Sequence, residues 1–386
     1  MSDEKPKDLR AVPRIVLFSG GTACRAINIA LSKRRVHLTR IVPAWDSGGS
    51  SKLIRAKLGV LSVGDVRQAL MTMAHGERCS GDVVRIFNTR ISASHALKEA
   101  RQEFQFYAEG RHLLLERMEP GLRGAILNYL RTFASAVGDD FDYRNGSIGN
   151  FILTGACIAH NGDINTAIFV FRKLCGIDGN VWPSSLDNDL VLSCTLKNGE
   201  QRSPQDVVTK LSEADAMIGI DEIRLTNENG DQPSANKAVI EAIQTADLIA
   251  FGPGSFYTSI LPHLLVGEIV DAAERAQCPV LMIGNILQCR ETMGMTLNEI
   301  VTQFVGQWQR VSSSRTAPSL QVLANRILLP FEKAVGNYPY LVAHSPSQSG
   351  GYILINGEFE DAWARGQHDG DLVADQILAL ASRRET

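Results

Sequence analysis

The sequence predicts an α/β fold built on a doubly wound, mostly parallel β-sheet. Short apolar runs typical of buried strands alternate with helix-compatible segments along most of the chain, as in parallel sheets joined by crossover helices. Several of these runs end in loops rich in Gly, Ser and Asn. Such loops lie at the carboxyl edge of an open parallel sheet, where ligands bind. The same observations therefore predict the fold class and the location of a site.

The composition is that of a globular protein with enough chain for a large core. The chain has 386 residues, of which 44% are hydrophobic and 21% charged, and its net charge is -3. This charge argues against nucleic acid as a main partner. Residues 1–10 lack the apolar core of a secretory signal, and no later run is long enough to span a bilayer. We therefore expect a cytoplasmic protein without a membrane partner.

Two loops of small residues follow the first two predicted strands. The strand at 15–18 leads into Ser19, Gly20, Gly21 and Thr22, and the strand at 38–44 leads to Asp46, Ser47, Gly48, Gly49, Ser50 and Ser51. Glycine allows close approach of the backbone to a ligand, and Ser and Thr add hydroxyl donors, so both loops suit a phosphate or a sugar. Each loop alone is also compatible with an ordinary strand-to-helix turn, but the pair favours a binding site.

Helices are predicted to follow both loops and to form an insert. A helix over 23–33 follows the first loop, a short helix over 53–58 follows the second, and Asp65 is placed to cap a helix over 66–74. The segment from about 92 to 136 has helix-forming composition and no strand pattern, which predicts two or three inserted helices. Such an insert is typical of a lid or of an oligomer surface, so a homodimer is one candidate assembly.

The rest of the chain continues the alternation. Strands are predicted at 191–196, 218–225, 247–251 and 279–284, and helices at 151–159, 163–174, 204–211, 234–245, 260–276 and 371–381. No linker or internal repeat interrupts the pattern. We therefore predict one α/β domain over residues 1–345, which includes the helical insert, and a C-terminal extension over 346–386.

Four loops are candidates for one common site. The loops at Ser19, Asp46, Gly252 and Asn285 all follow predicted strands, so they converge on one cleft if those strands are neighbours. Asp46 can bind a hard cation such as Mg²⁺, accept a proton from an attacking hydroxyl, or cap the next helix. Asn150 and Asn285 can bind polar ligand edges with both donor and acceptor atoms.

The loop with Gly254, Ser255 and Tyr257 does not match a standard nucleotide fingerprint. Tyr257 stands where the dinucleotide motif has its third glycine, and no glycine is followed by Lys-Ser or Lys-Thr as in a P-loop. A nicotinamide enzyme and a P-loop kinase are therefore disfavoured. Tyr257 can stack on a base or sugar, or its ring can pack against the sheet. Arg55 and Arg67 follow the loops by one helical turn, where each can reach a phosphate or remain solvated.

At these residues the sequence resembles the family of 2-phospho-L-lactate transferases (CofD-like proteins) and their relatives, the YvcK-like gluconeogenesis factors. The resemblance covers about residues 14–305 and rests on six motifs in the family's order. These motifs are Gly20-Gly21-Thr22, Asp46-Ser47-Gly48-Gly49-Ser50-Ser51, Gly64-Asp65-Val66-Arg67, Ser147-Ile148-Gly149-Asn150, Gly252-Pro253-Gly254-Ser255-Phe256-Tyr257-Thr258-Ser259 and Asn285. Six motifs in order are far more specific than any one alone.

The resemblance implies a Rossmann-like core with a nucleotide in the predicted cleft. It implies a transferase that moves a phospholactyl group from a guanosine diphosphate-activated donor to the hydroxyl of a deazaflavin-type acceptor, with Mg²⁺ and release of GMP. Asp46 is then the catalytic residue and the metal ligand. The loops and the resemblance together assign nucleotide and phosphate binding to Gly20, Gly21, Thr22, Gly48, Gly49, Ser50, Ser51, Asn150, Gly254, Ser255, Tyr257 and Asn285.

Three positions depart from the family's pattern. Relatives often have Gly where this chain has Ala23, a second Asp where it has Ser47, and Gly where it has Lys52. A single carboxylate predicts a weaker metal site, and Lys52 can supply charge to a phosphate instead. Two functions of different class are therefore open: a transferase acting on a nucleotide-activated phosphoester, and a non-catalytic regulator that binds a nucleotide sugar and acts in carbon metabolism or cell-wall synthesis.

Overall fold

A seven-stranded parallel sheet forms the centre of the protein. The computed structural model describes residues 12–22, 24–74, 79, 81–326, 333–343 and 351–382. The strands are β1 (Arg14–Phe18), β2 (His37–Val42), β3 (Asn180–Pro183), β4 (Val191–Leu196), β5 (Gln201–Arg202), β6 (Ile220–Thr226), β7 (Leu248–Phe251), β8 (Val280–Ile283), β9 (Leu320–Asn325), β10 (Ala334–Val335), β11 (Tyr338–Pro339) and β12 (Tyr352–Gly357). The central sheet has the order β12-β9-β8-β7-β1-β2-β3, and all its neighbouring strands are parallel. The predicted α/β class is confirmed.

Helices connect these strands and form the insert. They are α1 (Arg25–Ser32), α2 (Gly49–Leu58), α3 (Gly64–Met73), α4 (Gly81–Asn88), α5 (Leu97–Ala108), α6 (Leu113–Glu116), α7 (Pro120–Val137), α8 (Ile148–Ala159), α9 (Ile164–Leu174), α10 (Gln205–Thr209), α11 (Glu213–Ile218), α12 (Lys237–Gln244), α13 (Ile269–Ala276), α14 (Leu297–Val311) and α15 (Gly370–Ala381). The insert predicted over about 92–136 consists of α5, α6 and α7. No helix among the described residues is long and apolar enough to cross a membrane.

The central strands are buried because their side chains are almost all apolar. Every residue of β7 and β8 is buried, and in β1 only Arg14 is exposed. The rings of Phe18 in β1 and Phe251 in β7 stack with centroids 4.7 Å apart. Strands covered on both faces read as continuous apolar runs, which explains why these three were recognisable in the sequence.

The chain reverses its direction of travel across the sheet between β1 and β7. From β1 it proceeds to β2 and β3 on one side, and it later returns to place β7, β8, β9 and β12 on the other. This is the topological switch point of a doubly wound sheet, where the loops after adjacent strands diverge and leave a crevice. The fold therefore locates a crevice at the carboxyl ends of β1 and β7.

Two parts of the sequence prediction are wrong. The strands predicted at 191–196 and 218–225 do not join the parallel sheet: β4 and β6 pair antiparallel in a small sheet of order β5-β4-β6. Their alternation of buried and less buried residues is typical of an antiparallel sheet with one covered face. The helix predicted over 260–276 is broken as well, because a 3₁₀ turn at Leu261–Leu265 ends before α13 begins.

The C-terminal part completes the same sheet. β12 pairs with β9 in parallel and forms one edge. α15 packs against α1, and Arg34, which follows α1, forms ion pairs with Asp371 (2.8 Å) and Asp375 (2.7 Å). The division of the chain at 345/346 stays a prediction, but the residues of the proposed extension that the structure describes contact the main sheet directly.

Candidate functional site

The loops that follow β1, β2, β7 and β8 meet at one edge of the sheet. The backbone N–H of Gly252 donates to the carbonyl of Phe18 (2.7 Å), and the indole Nε1 of Trp45 donates to the carbonyl of Thr258 (2.8 Å). A Cβ on Gly20 would lie 3.0 Å from the hydroxyl of Ser259. The sequence predicted convergence on condition that the strands are neighbours, and the strand order meets that condition.

Arg40 binds the first glycine loop, a role that the sequence did not predict. Arg40 lies in β2 and is fully buried. Its guanidinium donates to the Ser19 hydroxyl (2.5 Å), the Gly20 carbonyl (2.7 Å) and the Thr72 hydroxyl (2.9 Å). Burial lowers the pKa of Arg40. A signal existed in the sequence, because an arginine inside an apolar strand must find several hydrogen-bond partners to be tolerated.

Asp65 also binds the first loop. Its Oδ1 accepts a hydrogen bond from the Gly21 N–H at 3.1 Å. The predicted capping role is wrong, because α3 begins at Gly64 and has no side-chain cap at its start. Burial, together with the neighbouring charge of Asp46, raises the pKa of Asp65 to about 7. This carboxylate therefore belongs to the site, although it lies 44 residues from the loop that it contacts.

Asp46 lies beside Gly64, the residue that precedes Asp65. Its Oδ1 accepts from the Gly48 N–H (3.0 Å), and its Oδ2 accepts from the hydroxyls of Ser51 (2.8 Å) and Ser62 (3.3 Å). These bonds order the loop before α2, but α2 itself starts at Gly49 without a side-chain cap. A Cβ on Gly64 would lie 2.3 Å from Asp46 Oδ2, so only glycine allows this approach. Asp46 and Asp65 are thus brought together around one glycine.

A buried polar network joins the second loop to α8. Ser50 Oγ accepts from Asn150 Nδ2 (3.0 Å) and from the Ser147 N–H (3.3 Å). Asn150 Oδ1 accepts from Arg67 Nε at 2.8 Å. Both ends of the Asn150 amide therefore contact the protein. Arg67 is not a solvated side chain: burial, with the nearby charge of Arg90, lowers its pKa to about 10.

Asn285, which the sequence predicted to bind a polar ligand, holds the loop after β7 through both ends of its amide. Asn285 Oδ1 accepts from the Gly254 N–H (2.9 Å), and its Nδ2 donates to the Gly254 carbonyl (2.8 Å). Tyr257 is buried, and its hydroxyl donates to Met295 Sδ at 3.8 Å. Of the two alternatives for Tyr257, the structure has the ring packed inside the protein.

Glu291 is a second residue that the sequence analysis missed. It is buried, and it accepts hydrogen bonds from the N–H groups of Tyr257 (2.9 Å) and Thr258 (3.2 Å) and from the Thr258 hydroxyl (2.6 Å). Burial raises the pKa of Glu291 to about 7. Nothing in the local sequence indicates this role, because the partners lie more than 30 positions earlier in the chain.

The predicted site residues divide into an accessible set and a buried set. Those that reach the surface are Thr22, Asp46, Gly48, Gly49, Gly254, Ser255 and Asn285, and those that are buried are Gly20, Gly21, Ser50, Ser51, Asn150 and Tyr257. The first set can contact a ligand directly, whereas the second set shapes the loops. Ala23 lies outside the described residues. Arg55 donates to the Leu190 carbonyl (2.7 Å) and so holds a neighbouring segment.

Comparison with known proteins identifies the family. The family model described as 2-phospho-L-lactate transferase CofD matches residues 15–330. The chain belongs to the CofD family. That match spans most of the chain and includes all six motifs, so the resemblance drawn from the sequence is confirmed.

The relatives that this chain resembles carry a different name. The chain is 29% identical to the Gluconeogenesis factor of Listeria monocytogenes over 276 residues, which are 71% of this chain and 67% of that protein. It is 27% identical over 387 residues to a Lactococcus lactis protein that bears the same name provisionally, covering 97% of this chain and 98% of that protein. A crystal structure from Bacillus halodurans, described as a member of the UPF0052 family, aligns with TM-score 0.70 at 22% identity and covers 95% of this chain and 99% of that one. It supports the fold.

Proposed function

We propose that this CofD-family protein is a metal-dependent transferase that takes a phospholactyl-type group from a guanosine diphosphate-activated donor. The acceptor is a hydroxyl of a deazaflavin-type molecule, and GMP is released. The observation that carries the proposal is the meeting of two carboxylates, Asp46 and Asp65, around Gly64 beside the first glycine loop. A site of this kind suits a nucleotide diphosphate with its cation.

The carboxylates fit Mg²⁺ better than the sequence suggested. Ser47 replaces the second Asp of many relatives, but Asp65 supplies a second carboxylate from another element. Asp65 Oδ2 makes no hydrogen bond to the described residues and can bind a cation. No cluster of three His, Cys, Asp or Glu side chains that could hold a metal occurs in the described part of the chain. Mg²⁺ commonly uses only one or two carboxylates and takes its other ligands from water and substrate phosphates.

Several groups of the protein then have separate roles in the transfer reaction. Bound Mg²⁺ would neutralise charge on the phosphate oxygens. The Thr22 hydroxyl and the N–H groups at the start of α2 bind phosphate oxygens, since a helix start presents unpaired donors. Asp46 orients the acceptor hydroxyl and accepts its proton. Arg40 and Asn285 fix the two loops so that they need not reorganise when the donor binds.

A second function is favoured by the names of the relatives. Proteins called gluconeogenesis factors align with most of the chain. Their name supports a non-catalytic regulator, which would bind a nucleotide sugar in the same crevice. Carbon metabolism or cell-wall synthesis would then be the regulated process. The same accessible loop residues would contact the nucleotide in either case, so the two functions differ in their need for metal and in turnover.

Calorimetric titration separates the two functions. The purified protein is titrated with GDP, UDP and UDP-sugars, each with and without Mg²⁺. Magnesium-dependent binding of GDP supports the transferase, and tight binding of a UDP-sugar without metal supports the regulator. Absence of binding by every nucleotide contradicts both.

In the same titrations, Asp46→Asn tests whether Mg²⁺ binds at Asp46. We expect the variant to lose the magnesium dependence of nucleotide binding, because an amide binds Mg²⁺ weakly. Its Tm should stay within about 3 °C of wild type, since Asn can still accept the Gly48 N–H. Asp139→Asn, on a fully exposed carboxylate, is the control. A large fall in Tm with magnesium dependence retained would instead assign Asp46 a structural role.

A further inference from the structure

The loop after β8 (residues 284–291) is bounded by residues that follow position 330, where the family-model match ends. The Leu341 N–H donates to the Ile286 carbonyl (2.8 Å), and the Gln288 N–H donates to the Pro339 carbonyl (2.8 Å). Backbone groups on both sides of this contact are therefore paired. The C-terminal part of the chain thus fixes the path of a loop that borders the site.

His368 binds the first peptide group of the same loop. It lies between β12 and α15, it is only 9% exposed, and its Nε2 is 3.0 Å from the Gly284 carbonyl oxygen. A carbonyl can only accept, so Nε2 donates. This carbonyl belongs to the peptide that joins Gly284 to Asn285, and the Gly284 N–H donates to Leu323 in β9 (2.9 Å). Burial lowers the pKa of His368 to about 4, so the ring is neutral at neutral pH.

The segment that carries His368 is itself held firmly. Glu360 forms a β-bridge with His368 and is only 6% exposed. Its Oε1 accepts from the Tyr340 hydroxyl (2.8 Å) and from the Gly366 N–H (2.6 Å). A Cβ on Gly366 would lie 2.5 Å from Leu287 Cδ1, so this turn packs directly against the loop after β8. The imidazole is therefore a fixed donor rather than the end of a loose segment.

The position of the bound peptide is passed on to the loop after β7 (residues 252–259). Asn285 begins at that peptide, and its amide makes two bonds to Gly254, to the N–H (2.9 Å) and to the carbonyl (2.8 Å). A rotation of the peptide would move the amide and strain both bonds. Gly254 is among the accessible residues that can contact a ligand, so the loop that would receive the nucleotide depends on this chain of contacts.

We propose that His368 is a positioning residue for the nucleotide site, which it serves by holding the peptide between Gly284 and Asn285. The inference rests on the proposed function and adds to it a residue from outside the part of the chain that the family model matches. Without the imidazole donor, the Gly284 carbonyl loses a buried partner, and Asn285 no longer holds the loop after β7 in one position.

Three variants separate positioning from general stability. His368→Leu removes the donor, whereas His368→Gln places an amide N–H close to the position of Nε2. Ile377→Ala lowers stability from a fully buried position in α15 without changing the loop contacts. His368→Asn, whose amide is too short to reach the Gly284 carbonyl, replaces His368→Leu if that variant does not fold.

Hydrogen–deuterium exchange of the ligand-free protein measures the loops directly. It is followed by mass spectrometry in peptides covering 252–259 and 284–291, well below the Tm of every variant. We expect His368→Leu to exchange roughly tenfold faster than wild type in both segments, because a buried carbonyl has lost its partner. His368→Gln and Ile377→Ala should exchange at nearly the wild-type rate there. Unchanged exchange of 252–259 in His368→Leu overturns the proposal.

Nucleotide affinity then tests the consequence for the site. GDP with Mg²⁺ and UDP-glucose are titrated into the same proteins. Whichever nucleotide wild type binds should bind about tenfold more weakly to His368→Leu and within about twofold of wild type to His368→Gln and Ile377→Ala. Equal affinity for wild type and His368→Leu, or a loss that follows Tm across all variants, overturns the positioning role. If no nucleotide binds wild type, the proposed function fails, and the exchange measurement alone decides whether His368 positions the loop.

Discussion

At the scale of single residues, the site depends on contacts between side chains and distant backbone. Asp65 contacts the N–H of Gly21, and Glu291 contacts those of Tyr257 and Thr258. Each carboxylate fixes a loop in place, and burial raises the pKa of each to about 7. Burial makes the charged form of each carboxylate costly, so protonation near neutral pH changes the stability of the loops.

The pKa of Asp65 predicts a pH dependence. A carboxyl whose pKa is raised from 3.8 to about 7 on folding binds protons more readily in the native state, so its contribution to stability falls as pH rises from about 4 to 7. In metal-free buffer, wild type should lose about 2 °C more in Tm between pH 5 and 8 than Asp65→Asn. Scanning calorimetry at several pH values measures this.

Two features of that experiment make it specific. Glu291 contributes with the same sign, so Asp65→Asn should keep a shallower slope, and Asp65→Asn with Glu291→Gln should be nearly flat from pH 5 to 8. Asparagine can still accept the Gly21 N–H, which limits structural loss. Identical slopes for wild type and Asp65→Asn would show that Asp65 is ionised throughout this range.

At the scale of elements, the helical insert is fixed by a close helix crossing. α7 and α8 pack against each other, and a Cβ on Gly155 of α8 would lie 1.9 Å from the carbonyl oxygen of Tyr129 in α7. Only glycine permits this approach of two backbones. The other end of α8 carries Asn150 and borders the site. The insert therefore packs directly against α8, the helix that carries Asn150 and positions the polar network around Ser50.

Gly155→Ala and Gly124→Ala test this crossing as a matched pair. Gly155→Ala should lower the free energy of unfolding by about 1–3 kcal/mol, because the backbones must move apart. Gly124 lies in α7 with no atom within 4 Å of the added Cβ, so Gly124→Ala should stabilise by about 0.5–1 kcal/mol. Urea denaturation measures both. Equal effects of the two substitutions would mean that α7 and α8 do not pack this closely.

At the scale of the whole molecule, the C-terminal residues belong to the main core. β12 extends the parallel sheet beyond β9, and α15 buries Val373, Ile377 and Leu380. A Cβ on Gly370 would lie 2.2 Å from the Ala26 carbonyl oxygen, so α15 begins in direct contact with α1. A segment packed in this way should unfold together with the sheet rather than separately.

Ile377→Ala tests whether the molecule unfolds as one unit. Ile377 is fully buried, so its truncation should lower the free energy of unfolding by about 2–4 kcal/mol. Leu372→Ala, at a residue that is 45% exposed on the same helix, should change it by less than about 1 kcal/mol. Far-UV circular dichroism and tryptophan fluorescence, to which the buried Trp45 and Trp308 contribute, should report one coincident transition. Separate transitions would support an independent C-terminal extension.

The sequence alone determined four strands of the central sheet (β1, β2, β7 and β8), the loops that follow them and the family. β1, β7 and β8 were recognisable because strands buried on both faces are continuously apolar, and the loops with Gly20, Asp46 and Gly252 were recognisable because their residue types are local signals. The resemblance to CofD-like proteins followed from six such local motifs.

Only the tertiary structure decided which side chains meet. Asp65 lies beside Asp46, Arg40 supports the first loop, Arg67 binds Asn150, and Glu291 binds the loop after β7. The tertiary structure also decided that β4 and β6 pair with each other in a separate antiparallel sheet. These contacts join residues tens to hundreds of positions apart, and sequence patterns report local periodicity and turn chemistry rather than such distances. The second carboxylate of the proposed metal site was therefore present in the sequence but could be assigned only from the fold.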